Sequence, residues 1–139
     1  LNEHFALNGA FTHTHTYLTS HGSIVTDPLN RQLAGVPWNV AIAGLTWTPD
    51  AQTRLYVQAR NIGSMYIDTT STGAPYTQTS NTVYDASAAY AWDKQTDIVL
   101  SGSNVFNKQY NEGAYTYNKP WTQTVSLPRT YFLSLKTRF

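Results

Sequence analysis

The sequence predicts an all-β chain whose strands cross a membrane as part of an antiparallel barrel. Three observations carry this: strict two-residue alternation, connections that are alternately long and short, and a composition rich in rings and poor in charge. Of the 139 residues, 12% are charged and 14% aromatic, with ten tyrosines. Soluble domains carry roughly 25% charged residues. A formal charge of +1 gives no electrostatic case for nucleic acid or for anionic headgroups as a binding target. Cysteine is absent, which removes disulfides and thiolate metal sites.

Period-two reading gives six strands. They are "HFALNGAFTHTHTY" (His4–Tyr17), "WNVAIAGLTWT" (Trp38–Thr48) and "RLYVQARNIGSMY" (Arg54–Tyr66), then "TVYDASAAYAW" (Thr82–Trp92), "DIVLSGSNVFN" (Asp97–Asn107) and the tail (Arg129–Phe139). The gaps between them run long, short, long, short, long, with "PDAQT" and "DKQT" as the short ones. A soluble sandwich turns at regular spacings of about 8–12 residues. Short turns on one edge and long loops on the other are the outer-membrane barrel pattern. Eleven residues at about 3.3 Å each, tilted near 40°, rise roughly 28 Å, matching an apolar band of about 25 Å.

Alternation then assigns the faces. Toward lipid go Phe5, Leu7, Gly9 and Phe11; Leu55, Val57 and Ala59; Tyr84, Ala86, Ala88, Tyr90 and Trp92; Ile98, Leu100, Gly102 and Phe106; and Tyr131, Leu133, Leu135, Thr137 and Phe139. Toward the lumen go Arg54, Gln58 and Arg60, and Thr130, Phe132, Ser134, Lys136 and Arg138. The second strand is ambiguous, because Ala41/Ala43/Leu45/Trp47 and Val40/Ile42 are both apolar rows; the row ending in Trp47 is favoured as the lipid face. Short turns lie in the periplasm in this class, so Phe139 is expected there.

No apolar run approaches the length of a membrane helix, "VAIAGL" being about the longest. The chain begins in alternation, without a signal peptide or an initiator Met, which predicts a cut inside a larger protein. Single-chain outer-membrane barrels have eight strands or more, and an open sheet in lipid leaves unpaired edge groups costing several kcal/mol each. Six strands are therefore expected to complete a larger barrel.

"SNVFNKQYNEGAYTY" followed by "LPRTYFLSLKTRF" resembles the closing hairpin of TonB-dependent outer-membrane receptors. Those commonly read "NLFDKxY", a long loop, then "PRxxxxxLxxxF". "LAGVPWNVAIAGLTWTP" and "MYIDTTST…VYDASAAYAW" resemble an earlier strand entry and hairpin of the same family. Asn107 replaces a frequent Asp, and Thr137 stands where an aromatic is common. The resemblance implies a 22-stranded barrel filled by an N-terminal plug, with residues 1–139 as its C-terminal part, strands seventeen to twenty-two. Plug, earlier strands and the TonB box lie outside the sequence. It implies TonB-dependent active uptake across the bacterial outer membrane, most often of a ferric siderophore, with cobalamin, haem, other metal complexes and saccharides as family alternatives. The implied partners are that ligand, TonB through the missing N-terminal part, outer-membrane lipid, and the plug and other strands of the same receptor. No resident cofactor and no covalent chemistry are implied.

Candidate site residues follow. Arg60 faces the lumen, where it either attracts an anionic ferric complex or pairs with a plug carboxylate. Tyr115, Tyr117 and Trp121 share the last long connection, and Tyr76 lies in the middle one; amphipathic rings there suit aromatic siderophores or glycans, or else pack the loops together. His13 and His15 share a face at i and i+2 but have no nearby carboxylate, so they read as polar rim rather than metal ligands. No Ser/His/Asp order, paired acid motif or phosphate loop supports an enzyme. Two rival readings are a passive pore or adhesin barrel of another family, and a soluble carbohydrate-binding β-sandwich with its aromatic rows between two sheets.

Overall fold

A computed structural model describes residues 3–17, 19–20, 30, 32–68, 76–115 and 122–138. Six long strands form one antiparallel sheet: β1 (Phe5–His13), β2 (Asn39–Trp47), β3 (Thr53–Ile62), β6 (Asn81–Ala91), β7 (Thr96–Ser103) and β10 (Thr130–Thr137). Each pairs with the next in chain order, so the sheet is an up-and-down meander. Two small hairpins extend it at one end. β4 (Met65–Asp68) with β5 (Tyr76–Gln78) continues the β3/β6 pair, and β8 (Asn111–Tyr115) with β9 (Thr122–Val125) continues β7/β10.

Two of the connections expected to be loops therefore contain strands. The expected third strand is divided at Gly63–Ser64 although its register with β2 carries on, Gly63 donating to the Asn39 carbonyl at 2.7 Å and Trp38 to the Ser64 carbonyl at 3.2 Å; a Cβ at Gly63 would meet the Asn39 oxygen at 2.7 Å. The expected fifth strand stops at Ser103 because Asn104 and Asn107 turn left-handed, with φ of 50° and 53°. The first strand ends at His13, but its direction continues through the Thr14 N–H bond to the Trp38 carbonyl and the Tyr17–Gln32 bridge.

Registration resolves the faces. Directly opposed residues in an antiparallel sheet point the same way. Leu7, Leu45, Val57, Ala86, Gly102 and Tyr131 are in line across the whole sheet. Phe5, Trp47, Leu55, Ala88, Leu100 and Leu133 form the row beside them. The second strand thus presents Ala41, Ala43, Leu45 and Trp47 with this apolar face, as the interfacial Trp47 suggested. Thr46, Tyr56, Ser87 and Ser101 line the other.

Packing shows which medium each face meets. Among the described residues the only buried apolar side chains are Met65 and Val83, while Leu7, Phe11, Leu100, Leu133 and Leu135 are exposed. A water-soluble sheet with so little burial would have nothing to offset the entropy of folding. In hydrocarbon the same row is solvated by lipid, and the backbone is satisfied by the ladder. Phe5 and Trp47 stack at 5.9 Å near the short turns, and Tyr84 meets Phe106 edge-on at 5.2 Å toward the hairpins. These rings are the two interfacial girdles expected of a barrel wall. The sandwich alternative fails, since it needs that row covered by a second sheet. β1 and β10 are the two edges of the described sheet.

Both short turns use one device. Asp50 Oδ1 accepts the N–H groups of Gln52 (2.8 Å) and Thr53 (2.7 Å), and Asp93 Oδ1 accepts those of Gln95 and Thr96, both at 2.7 Å. The bond from the Gln52 amide, then those from Thr53, hold the Asp50 carboxyl below its ordinary 3.8; Gln95 and Thr96 do the same for Asp93. A folded carboxyl that resists protonation contributes stability above the ordinary value, which is lost as pH falls through the folded pKa. Exchange protection at these four amides, corrected for intrinsic rates, is therefore expected at neutral pH and lost as pH falls below 3.8. Asp50→Ala and Asp93→Ala should lose it at neutral pH. Protection unchanged by acid or by either substitution would show that the carboxylates do not hold the turns.

Candidate lumenal surface and its hairpins

The polar face mixes uncharged side chains with Arg54, Asp85, Asp97 and Lys136, and carries Arg60 near the hairpin end. β3 places Gln58 opposite Gly44 and Asp85, and Arg60 opposite Ile42 and Val83. Gly44 leaves room for the ring above it: a Cβ there would lie 2.6 Å from the Tyr56 hydroxyl and would also meet the Asn8 carboxamide, so both side chains would have to shift. Tyr56 thereby lies across the sheet and donates to Gln58 Oε1 at 2.8 Å.

Asp85 shares the face with Arg60 but is engaged elsewhere. Its Oδ1 accepts from the Ser103 hydroxyl at 3.1 Å and from the Asn104 N–H at 2.9 Å. The ion pairs among the described residues are His4–Glu3 and Arg138–Asp97, so Arg60, half-buried on the wall, has no carboxylate among them. A guanidinium on a wall of this kind is a fixed positive charge with planar donors.

Of the expected site residues, the structure places Arg60 on the lumenal face as alternation requires. Tyr76 opens β5 opposite Asp68, and Tyr115 closes β8 opposite Thr122; the side chains of both are outside the described ones. Tyr117 and Trp121 lie outside the described residues. The two hairpins are tied where Gln78 Nε2 donates to the Asn111 carbonyl at 2.5 Å. Tyr76 and Tyr115 therefore belong to neighbouring hairpins at the end of the sheet nearest Arg60. His13 Nδ1 is bonded to Asn39 Oδ1 at 2.8 Å, and the His15 ring packs on Tyr17 at 5.3 Å. No cluster of potential metal ligands exists among the described residues. Sequence reasoning missed the Gln78–Asn111 tie and the clamp around Asn104; the asparagines of "SNVFN", a residue type tolerant of left-handed backbone, were the available signal.

No family model and no curated protein matches the chain. Solved structures do. All of the chain aligns with 19% of Fiu, the ferric-catecholate import receptor of E. coli K12, at 20% identity and a TM-score of 0.81. It aligns over 99% of its length with 20% of the siderophore receptor PiuA from Acinetobacter baumannii (21% identity, TM-score 0.79). The ferric yersiniabactin uptake receptor FyuA from Yersinia pestis aligns over 99% of the chain and 21% of its own length (14% identity, TM-score 0.82). The chain thus spans about a fifth of each receptor. At these identities the likeness is one of fold: the antiparallel sheet has the fold of a segment of these receptors' β-barrel wall, the fold class expected from the sequence.

Proposed function

We propose that the chain is the C-terminal part of a TonB-dependent outer-membrane receptor that takes up a ferric siderophore without covalent chemistry. The observation that supports this most is the alignment of essentially the whole chain with barrels of ferric-siderophore receptors. In this reading the short turns face the periplasm, the C-terminus lies there, and the β4–β5 and β8–β9 hairpins face outward. Arg60 supplies positive charge beneath them for an anionic ferric complex. Tyr76, Tyr115, Tyr117 and Trp121 supply rings that meet the ligand first. TonB and the plug act through the remainder of the receptor.

The test is uptake of radio-iron siderophore by cells carrying the full-length receptor. Uptake is expected to stop when the proton gradient is collapsed or TonB is removed. Entry that survives both treatments would make the barrel a passive pore. Each ring removed from a binding contact typically costs about 0.5–1.5 kcal/mol beyond its buried area. Replacing Tyr115, Tyr117 and Trp121 together with Ala is therefore expected to weaken siderophore binding about tenfold or more. Heat-modifiable gel migration should be unchanged. Full affinity in a folded triple variant would move the site to other strands.

A further inference from the structure

The two hairpins leave the wall differently. β4–β5 is a straight extension: residues 63–64 are matched by 79–80, and Met65 pairs with Gln78 in the register that β3 and β6 set. β8–β9 is bent. Residues 104–110 on one side are matched only by 126–129 on the other, and Asn104 and Asn107 turn left-handed where the chain leaves β7. Arms of unequal length swing a hairpin out of line with the strands beneath it. Ser126, itself buried, closes its base: the Ser126 N–H donates to the Tyr110 carbonyl at 2.9 Å, and the Ser126 hydroxyl accepts the Tyr110 N–H at 3.2 Å.

The bend lays β8 against β4. Met65 shows the consequence. By register it shares the face of Leu55 and Val57, which is bare lower in the sheet, yet Met65 is only 6% exposed. Apart from its partner β5, β8 is the described strand that lies against β4, and its cover accounts for that burial. Gln78, opposite Met65, supplies a second hold. Its Nε2 donates to the Asn111 carbonyl at 2.5 Å, where β8 is bulged. A bulge disrupts its own ladder locally, and here the side chain of the neighbouring hairpin takes the carbonyl. Gln78 Oε1 is buried without a partner among the described residues, so the carboxamide is committed to this one bond.

We propose that the β4–β5 and β8–β9 hairpins form one cooperative unit, with Met65 as the shared core and Gln78 as the tie, so that opening either hairpin opens both. A two-stranded ribbon is marginal in water by itself. Packing one ribbon on the other buries apolar surface that neither can bury alone. Local opening in proteins follows contiguous units of this kind. The coupling is reciprocal, so each hairpin protects the other. Gln78 closes the strand that Tyr76 opens, and Asn111 opens the strand that Tyr115 closes. Under the transport reading, rings on the two hairpins are therefore presented to a ligand by one body. The coupling itself needs only the fold.

The test is hydrogen exchange of the full-length receptor in detergent without ligand, corrected for intrinsic rates. Met65→Ala removes the shared core and should speed exchange about tenfold or more in both hairpins. Gln78→Met keeps the volume but removes the carboxamide, and should speed exchange severalfold in both. From the other side, Thr124→Pro breaks the β8–β9 ladder and should speed exchange in β4–β5. Thr79→Ala, exposed and adjacent to Gln78, should change neither hairpin. Exchange in the six-stranded wall is the internal reference and should stay slow throughout. If Met65→Ala fails to show heat-modifiable migration, Gln78→Met and Thr124→Pro carry the test. A rise confined to the hairpin that bears the substitution, or no rise in a folded Gln78→Met receptor, overturns the proposal. Siderophore uptake is read separately, so failure of the coupling leaves the transport reading standing, and failure of transport leaves the coupling standing.

Discussion

Leu133→Arg is expected to lower the folding free energy of the full-length receptor by about 2–4 kcal/mol, the range for a guanidinium on the lipid face near the bilayer midplane. Ser134→Arg, one residue along, is expected to stay within about 0.5 kcal/mol. Leu133 is 76% exposed and in line with Leu100, Ala88 and Leu55, a row with no polar atom to receive a charge. Tyr131 and Leu135 flank it along the strand, so the nearest water lies beyond them in either direction. Ser134 is registered with Val99 and Ala89, and through them with Arg54 on the lumenal face, where a long cation reaches water. The pair is read from urea unfolding in lipid vesicles, using the fraction that keeps heat-modifiable migration. The expected gap is more than tenfold in the folding constant. Equal losses from the two changes would mean that the apolar row does not face lipid.

That row was readable because a strand has only two faces, and a change of solvent between them writes itself into every second residue. The same rule explains where reading failed. β2 carries apolar side chains on both faces, Val40 and Ile42 as well as Ala41 and Ala43, so periodicity has no contrast there and only its pairing with Leu7 and Val57 decides. β4–β5 and β8–β9 lie beyond the lipid, where no change of solvent separates the two faces of a hairpin, and "TYNKPWTQT" shows no alternation to find. Arg60 falls on the polar face for the reason that Leu133 falls on the apolar one. Tyr117 and Trp121 lie outside the described residues, and in a polar connection an aromatic side chain satisfies loop packing and ligand contact alike. "SNVFN" misled because Val105 and Phe106 look like the continuation of a strand, whereas the backbone at Asn104 has already left it.

Asn104→Ala is the second large effect expected, at about 1–3 kcal/mol. Asn104 is 4% exposed, and its carboxamide is fully engaged: Oδ1 accepts the Lys108 N–H at 2.8 Å, while Nδ2 donates to the carbonyls of Lys108 (2.9 Å) and Leu127 (3.1 Å). Its own N–H donates to Asp85 on the neighbouring strand at 2.9 Å. One side chain therefore ties the end of β7 to the approach of β10, across the sequence gap that holds the β8–β9 hairpin. Alanine leaves the Lys108 N–H and two carbonyls short of a partner, at about 1 kcal/mol or more in total. Alanine keeps the Cβ that asparagine already carries at φ 50°, but without the local side-chain bonds that let asparagine tolerate that backbone. Asn104→Gly loses the same bonds but relieves the left-handed strain that alanine retains, so it should be the milder change, reversing the usual order in which glycine destabilises more than alanine. Urea midpoints of the refolded full-length receptor give the ranking, and exchange at the Lys108 amide shows whether the clamp itself has opened. An alanine variant at wild-type stability, or one more stable than the glycine variant, would show that Asn104 is neither left-handed nor holding the two strands together.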